Sequence, residues 1–319
     1  MKLQLDFPIR PSFKKINLED PVYFIGSCFS NEIGQKMSNS KFKVINNPFG
    51  TIFNPHSIFK ILSGKIDHND TVESDGVYYH WDAHGEVSAL KMDELKTLTK
   101  RKTYESYEFV QKAKWLIITF GTAWVYRYRK SGEIVANCHK VPNNEFYKEL
   151  LTIEEIADAF RSFKRDLTST NPYINIVLTV SPVRHIKEGI LENNRSKSRL
   201  IESVHDMVDR FENVAYFPAY EIMNDELRDY RWYNADLVHP SAQAINYIWE
   251  KFGESYFDDE TRSYLSRWNA IQDSLNHRPF QPRTKSHQAF LKATLKNLES
   301  LNKKVDVNEE IKWVRSQLI

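Results

Sequence analysis

Apolar residues in this chain gather in short, β-branched runs separated by stretches of helical spacing. The runs are Val22-Tyr23-Phe24-Ile25, Lys43-Val44-Ile45, Trp115 to Phe120, Ile174 to Val180 and Val214-Ala215-Tyr216-Phe217. Near-continuous apolar runs of this length suit strands covered on both faces, as in a parallel sheet. Between them, Phe29, Ile33 and Met37 recur at i, i+4 and i+8. Leu200, Ile201, Val204, Val208 and Phe211 hold one helical face, and Ala242, Ile245, Trp249 and Phe252 do the same after Pro240. Thr152 with Glu155 three residues on reads as a capping box opening a helix over 152–167.

Alternating strand and helix predicts a three-layer α/β/α domain around a mainly five-stranded parallel sheet. An insertion at about 55–110 separates the second and third strands and holds a helix over 55–62 and a hairpin-like stretch around 77–90. Past residue 258 the pattern turns helical and polar, with a link containing Pro279 and Pro282 and helices near 287–301 and 307–318. The chain therefore divides into a domain over 1–258 and a helical C-terminal extension over 259–319. The extension either packs on the domain or serves self-association, and a homodimer through its helices is the assembly it suggests.

Composition adds mostly exclusions. With 41% hydrophobic and 27% charged residues in 319, a core of ordinary size needs no metal or disulfide staple. A net charge of +2 gives no electrostatic ground for binding nucleic acid. The two cysteines, Cys28 and Cys138, read as free thiols. Met1 to Asp6 lacks the apolar region of a secretory signal, and no apolar run approaches a membrane span, so the expected location is cytoplasmic. Neither Gly-x-Gly-x-x-Gly nor a P-loop is present, which argues against nucleotide binding. No cofactor is called for.

Two motifs carry candidate chemistry. Gly26-Ser27-Cys28-Phe29 follows the first strand where a helix begins. Open parallel sheets bind ligands beyond such strand ends, and a helix N-terminus favours a thiolate and offers N–H groups to an oxyanion. In Asp236-Leu237-Val238-His239-Pro240, the proline opens the next helix and keeps His239 out of helical geometry. Asp236 is then spaced to orient one ring nitrogen and leave the other as a base.

With these motifs the sequence resembles the GSCFA-domain family of bacterial proteins, itself similar to SGNH (GDSL-type) hydrolases with a flavodoxin-like sheet. Phe24 to Phe29 looks like the naming motif. Pro48-Phe49-Gly50-Thr51, Phe120 to Trp124, Asn137 to Pro142 and Ser181 to His185 look like further blocks, and Asp236 to Ser241 resembles the closing Asp-x-x-His. The resemblance implies an esterase, deacylase or acyl transferase acting on an acylated carbohydrate or other small molecule. Cys28, or Ser27 beside it, would attack the carbonyl after losing a proton to His239. Asp236 would fix the imidazole tautomer, and N–H groups in the blocks of Cys28, Gly50, Gly121 and Thr122 would hold the oxyanion. Cys28 is preferred because a thiol needs less activation near neutral pH. His139, Lys140, Arg184, His185, Asn194, Lys197 and Glu221, just past strand ends or at a helix start, are the candidate substrate contacts.

Two departures from the pattern stand out. Ser27-Cys28 replaces the Asp-Ser of SGNH enzymes, and Ala123 stands where they carry an oxyanion-donating asparagine. Losing one such donor typically costs about 10²–10³ in rate; Thr122, His139 or Lys140 are the residues that would compensate. The competing readings are a metal enzyme using His80, Asp82 and His84, which alternate as on one strand face, and a non-catalytic receptor for a glycan or acyl group. The first is set aside in favour of a polar hairpin edge.

Overall fold

The computed structural model describes residue 5 and residues 7–319. β1 (Val22–Gly26) leads into α1 (Cys28–Asn39), β2 (Val44–Asn46) and α2 (Pro55–Leu62). The insertion adds β3 (Thr71–Ser74), β4 (Val77–His80), β5 (Ser88–Ala89) and α3 (Met92–Lys112) before β6 (Trp115–Phe120). A second excursion, β7 (Trp124–Tyr128), β8 (Ile134–Val135) and β9 (Phe146–Leu150), precedes α4 (Ile153–Thr170). The domain closes with β10 (Asn175–Val180), α5 (Ile190–Arg210), β11 (Val214–Tyr216), a short α6 (Ala219–Glu221) and α7 (Ala242–Tyr256). Three helices follow: α8 (Asp259–Asn276), α9 (Lys285–Leu301) and α10 (Asn308–Ser316).

The central sheet has the order β11-β10-β6-β1-β2, and every pairing in it is parallel. Strand alternation sorts its side chains into two cores. Val22, Phe24, Trp115, Ile117 and Val177 face a core shared with Phe29 and Met37 of α1 and Phe252 of α7. Tyr23, Ile25, Leu116, Ile118 and Leu178 face the other, with Phe59 of α2, Val110 of α3, Phe160 of α4 and Leu200 of α5. Both faces of β1, β6 and β10 are thus buried, as their continuous apolar runs require.

The three-layer fold with its five-stranded parallel sheet is the expected one, and the Thr152/Glu155 capping box is present. Three features depart from the pattern. α3 is 21 residues long, yet its buried face holds only Leu95, Thr99, Ser106 and Val110, half of them hydroxyl residues. β7, β8 and β9 form a separate antiparallel sheet in the order β8-β7-β9. α5 begins at Ile190, more than a turn before its apolar periodicity sets in.

The C-terminal helices share the α1 core through Trp268, Leu291, Leu298, Val307 and Val314. Trp268 Nε1 donates to Asn39 O at 3.0 Å and Tyr264 Oη to Ser40 O at 3.1 Å, both at the far end of α1. Among the described residues, no helix is long and apolar enough to cross a membrane.

Candidate active site

The carboxyl ends of β1, β6 and β10 lie side by side. Gly26 ends β1 at φ +142, and a Cβ there would stand 2.1 Å from Thr119 O, so only glycine permits the strand to run this close to β6. Gly26 N donates to Asn47 Oδ1 and Ser27 N to Thr119 O. Ser27 then occupies the N-cap of α1 in an extended conformation, without capping through its side chain. The first N–H groups of α1 are therefore left to other acceptors. Ser27 is fully buried, and its Oγ has no hydrogen-bond partner among the described residues.

Cys28 is only half-buried. Burial lifts its thiol above the ordinary range, and the N–H groups of Phe29 and Cys28 and the charge of Lys197 pull the other way. Glu32 adds to the upward shift.

The Asp236–His239 turn is a closed hydrogen-bonded unit. Asp236 Oδ1 accepts from Val238 N at 2.9 Å and His239 N at 3.0 Å, while its Oδ2 lies 2.7 Å from His239 Nδ1. Asn234 N donates to His239 O and Leu237 N to Asn234 O, with Leu237 at φ 57. The two backbone N–H groups, first that of His239, and then the ring hold the Asp236 carboxyl down at about 2. The carboxylate thus fixes the tautomer with hydrogen on Nδ1, and Nε2 is left as an acceptor. About half of each side chain is exposed.

Arg184 stitches this turn to the end of β10. Its N donates to Val238 O at 3.3 Å and its guanidinium to Leu237 O at 3.2 Å, while the group lies over Tyr233 at 4.2 Å. His185 follows, with its N on Asn193 Oδ1 and its ring edge-on to Phe53 at 5.2 Å. Its Nε2 is buried with no hydrogen-bond partner among the described residues. Burial, then the charges of Lys197 and His239, push this imidazole down to about 3. Lys197, on the inward face of α5, is 1% exposed and donates to Gly121 O at 2.8 Å and Ser181 O at 2.6 Å. Burial brings its ammonium down to about 7, and Cys28 acts against that shift. The charges of Lys197 and His239 thus bear on His185, and that of Lys197 on Cys28. Among the described residues no hydrogen bond joins His239 to Ser27 or Cys28.

A family model for the GSCFA family matches residues 21–252. The chain belongs to the GSCFA family. A second model, the C-terminal domain of GSCFA domain proteins, matches residues 268–319. No curated protein and no solved structure matches the chain.

The other candidate residues of this GSCFA protein are distributed unevenly. The N–H groups expected at the oxyanion are engaged elsewhere: Gly50 N donates to Asn47 O, and Gly121 N and Thr122 N both donate to Phe53 O. Ala123 is buried, and its N donates to Ser196 Oγ at 2.7 Å; that hydroxyl also meets Thr122 Oγ1 at 2.9 Å. His139 is buried against Tyr79 and Trp81, with Nε2 on His80 O at 2.8 Å, and Lys140 beside it is exposed. Asn194 is exposed and accepts from Asn193 Nδ2. Glu221, whose carboxyl burial raises, accepts from Tyr216 Oη with both oxygens.

His80, Asp82 and His84 do not share a strand face, because β4 ends at His80. His80 bonds Asp67 O through Nε2 and Asp82 N through Nδ1, and the Asp82 carboxylate pairs with Lys60 at 2.7 Å. Among the described residues, no group of three or more His, Cys, Asp or Glu side chains is arranged to hold a metal ion.

Sequence reasoning passed over Phe53, Tyr233 and Ser196. The aromatic run Tyr230 to Tyr233 before the Asp236 turn was the available signal for the second of these.

Proposed function

We propose that this GSCFA protein is an SGNH-like esterase or acyl transferase acting through Cys28, His239 and Asp236. The observation that carries the reading is the preformed Asp236–His239 pair, stitched by Arg184 to the sheet edge where Cys28 opens α1. Cys28 is favoured over Ser27 because it is partly exposed and Ser27 is fully buried.

His239 Nε2 takes the thiol proton as sulfur attacks the acyl carbonyl, which requires it to come within hydrogen-bond reach once substrate is bound. The N–H groups of Cys28 and Phe29, at the open end of α1, receive the oxyanion. Collapse of the adduct expels the alcohol, which takes the proton back from His239. Water or a sugar hydroxyl then cleaves the thioester. Leu237 in the turn, Ile186 beside His185 and Tyr230 under the Arg184 guanidinium are exposed, which supports a substrate with an apolar acyl part.

Turnover of short-chain aryl esters by wild type, Cys28→Ala, Ser27→Ala and His239→Ala tests the reading. Cys28→Ala and His239→Ala should lose about 10²-fold or more, and Ser27→Ala should keep most activity. Full activity in His239→Ala would refute the mechanism. A second reading, a receptor that holds an acyl or glycan group without cleaving it, is favoured by the engaged N–H groups of Gly50, Gly121 and Thr122. An electrophilic acyl probe separates the two, because a receptor leaves Cys28 unlabelled.

A further inference from the structure

We propose that the outer face of α9, together with the exposed Phe280 that precedes it, is a docking surface for an anionic phospholipid bilayer. The surface belongs to the C-terminal helices and does not depend on the acyl chemistry proposed above.

Between Asp273 and Glu299 the chain carries Arg278, Arg283, Lys285, Lys292 and Lys296 and no acidic residue. Against a net charge of +2 for the whole chain, this run alone carries +5. All five side chains are exposed. None of them makes an ion pair or a side-chain hydrogen bond among the described residues. The acid that closes the run, Glu299, is taken by Arg315 at 2.8 Å.

The helix gathers these charges on one line. A rotation of about 100° per residue puts Lys285, Lys292 and Lys296 within about 20° of one another's direction. The buried residues His287, Leu291, Thr294, Leu298 and Leu301 lie on the opposite side. The lysines therefore stand on the crest of α9, spread over about 16 Å, with the short Ala289 between the first two.

This arrangement works against the helix that carries it. A helix N-terminus favours acids, and α3, α4, α8 and α10 each have two in their first turn. α9 has none there and opens with Lys285 just after Arg283. Lys292 and Lys296 are also four residues apart, where like charges repel. An anionic surface outside the chain relieves both strains.

Phe280 selects a bilayer among anionic partners. Its ring is 102% exposed, and it stands between Pro279 and Gln281-Pro282, with Arg278 and Arg283 on either side. An aromatic ring flanked by cations suits a membrane interface, where the ring enters the headgroup layer and the guanidinium groups meet phosphates. A straight crest of lysines likewise matches a flat layer of phosphates. A duplex offers phosphates too, but gives a wholly exposed apolar ring nothing to enter.

The test is flotation of the full chain with vesicles of phosphatidylcholine alone, or with about 30% phosphatidylglycerol, at about 0.1 M NaCl. The chain should float with the anionic vesicles only, and about 0.5 M NaCl should release it. Each lysine near such a surface is worth about fivefold in partition, so Lys292→Gln combined with Lys296→Gln should lower it about 25-fold. Phe280→Ser should lower it about tenfold. Lys100→Gln combined with Arg101→Gln, a basic pair on α3, should stay within about twofold of wild type. All the α9 and Phe280 substitutions are at exposed or half-buried positions, and circular dichroism checks that each variant is folded. Absence of flotation, equal flotation on neutral vesicles, or an equal loss in the α3 variant overturns the proposal. Duplex DNA binding that the α9 variant loses, without flotation of wild type, gives the face to nucleic acid and overturns it equally. Ester turnover plays no part in the readout, so an inactive esterase leaves this surface standing.

Discussion

Acid should destabilise this protein through His139, by an amount that can be worked out. The ring is 4% exposed, stacks on Tyr79 at 4.8 Å, and donates from Nε2 to the His80 carbonyl. Burial outweighs that carbonyl and pushes the imidazole from 6.5 down to about 4. A folded value below the unfolded one means that the unfolded chain binds the extra proton between them. The ring's contribution is thus intact above pH 6.5 and is lost as pH falls toward 4. At pH 5 an unfolded imidazole is charged about thirty times as often as neutral, while the folded ring remains about ten to one neutral, a difference of about 2 kcal/mol. Urea unfolding at pH 7 and pH 5 should therefore show wild type losing about 2 kcal/mol more than His139→Asn. Asparagine tolerates the positive φ of 45 at this position and does not titrate. The variant will be less stable at both pH values because the stacking is gone, so the reading is the pH difference, in which His185 and His56 contribute equally to both proteins. If His139→Asn loses as much as wild type between pH 7 and pH 5, burial of this ring is not what holds it neutral.

Gly26→Ala places a Cβ 2.1 Å from Thr119 O at φ +142, and should cost about 3 kcal/mol or more, seen as a large fall in Tm or as failure to accumulate folded protein. Trp268→Ala empties the space between α8 and the end of α1, and should cost about 3–5 kcal/mol in chemical unfolding. Under the proposed acyl chemistry, Asp236→Asn releases the tautomer of His239, and ester turnover should fall about 10⁴-fold through kcat with KM little changed.

The sheet was legible because β1, β6 and β10 are buried on both sides, which leaves runs such as Trp115 to Phe120 with no polar alternation to confuse them. The Asp236–His239 pair was legible too, since Pro240 forces the turn and the spacing brings carboxylate to imidazole. α3 was hidden because it buries Thr99 and Ser106, the latter on Tyr23 Oη, where a helical pattern expects apolar residues. The engagement of the Gly121 and Thr122 N–H groups was invisible because the acceptor, Phe53 O, arrives from a loop nearly seventy residues earlier. Lys197 reads in sequence as a residue opening a helix. The helix starts at Ile190, so residue 197 lies in its third turn, among Asn193, Ser196 and Leu200 on the buried side.

The shared core of α1 and the C-terminal helices also bears on synthesis. A growing chain makes Phe29, Ile33 and Met37 early, and Trp268, Leu291 and Val314, which belong to the same core, last. At ordinary translation speeds, about 3–12 s pass between completion of α7 and emergence of α10. During that interval α1 and α7 cover the sheet, but the core they share lacks its contribution from the C-terminal helices. A nascent chain halted before Trp268 would carry a sticky flank, a ready substrate for chaperones and for aggregation.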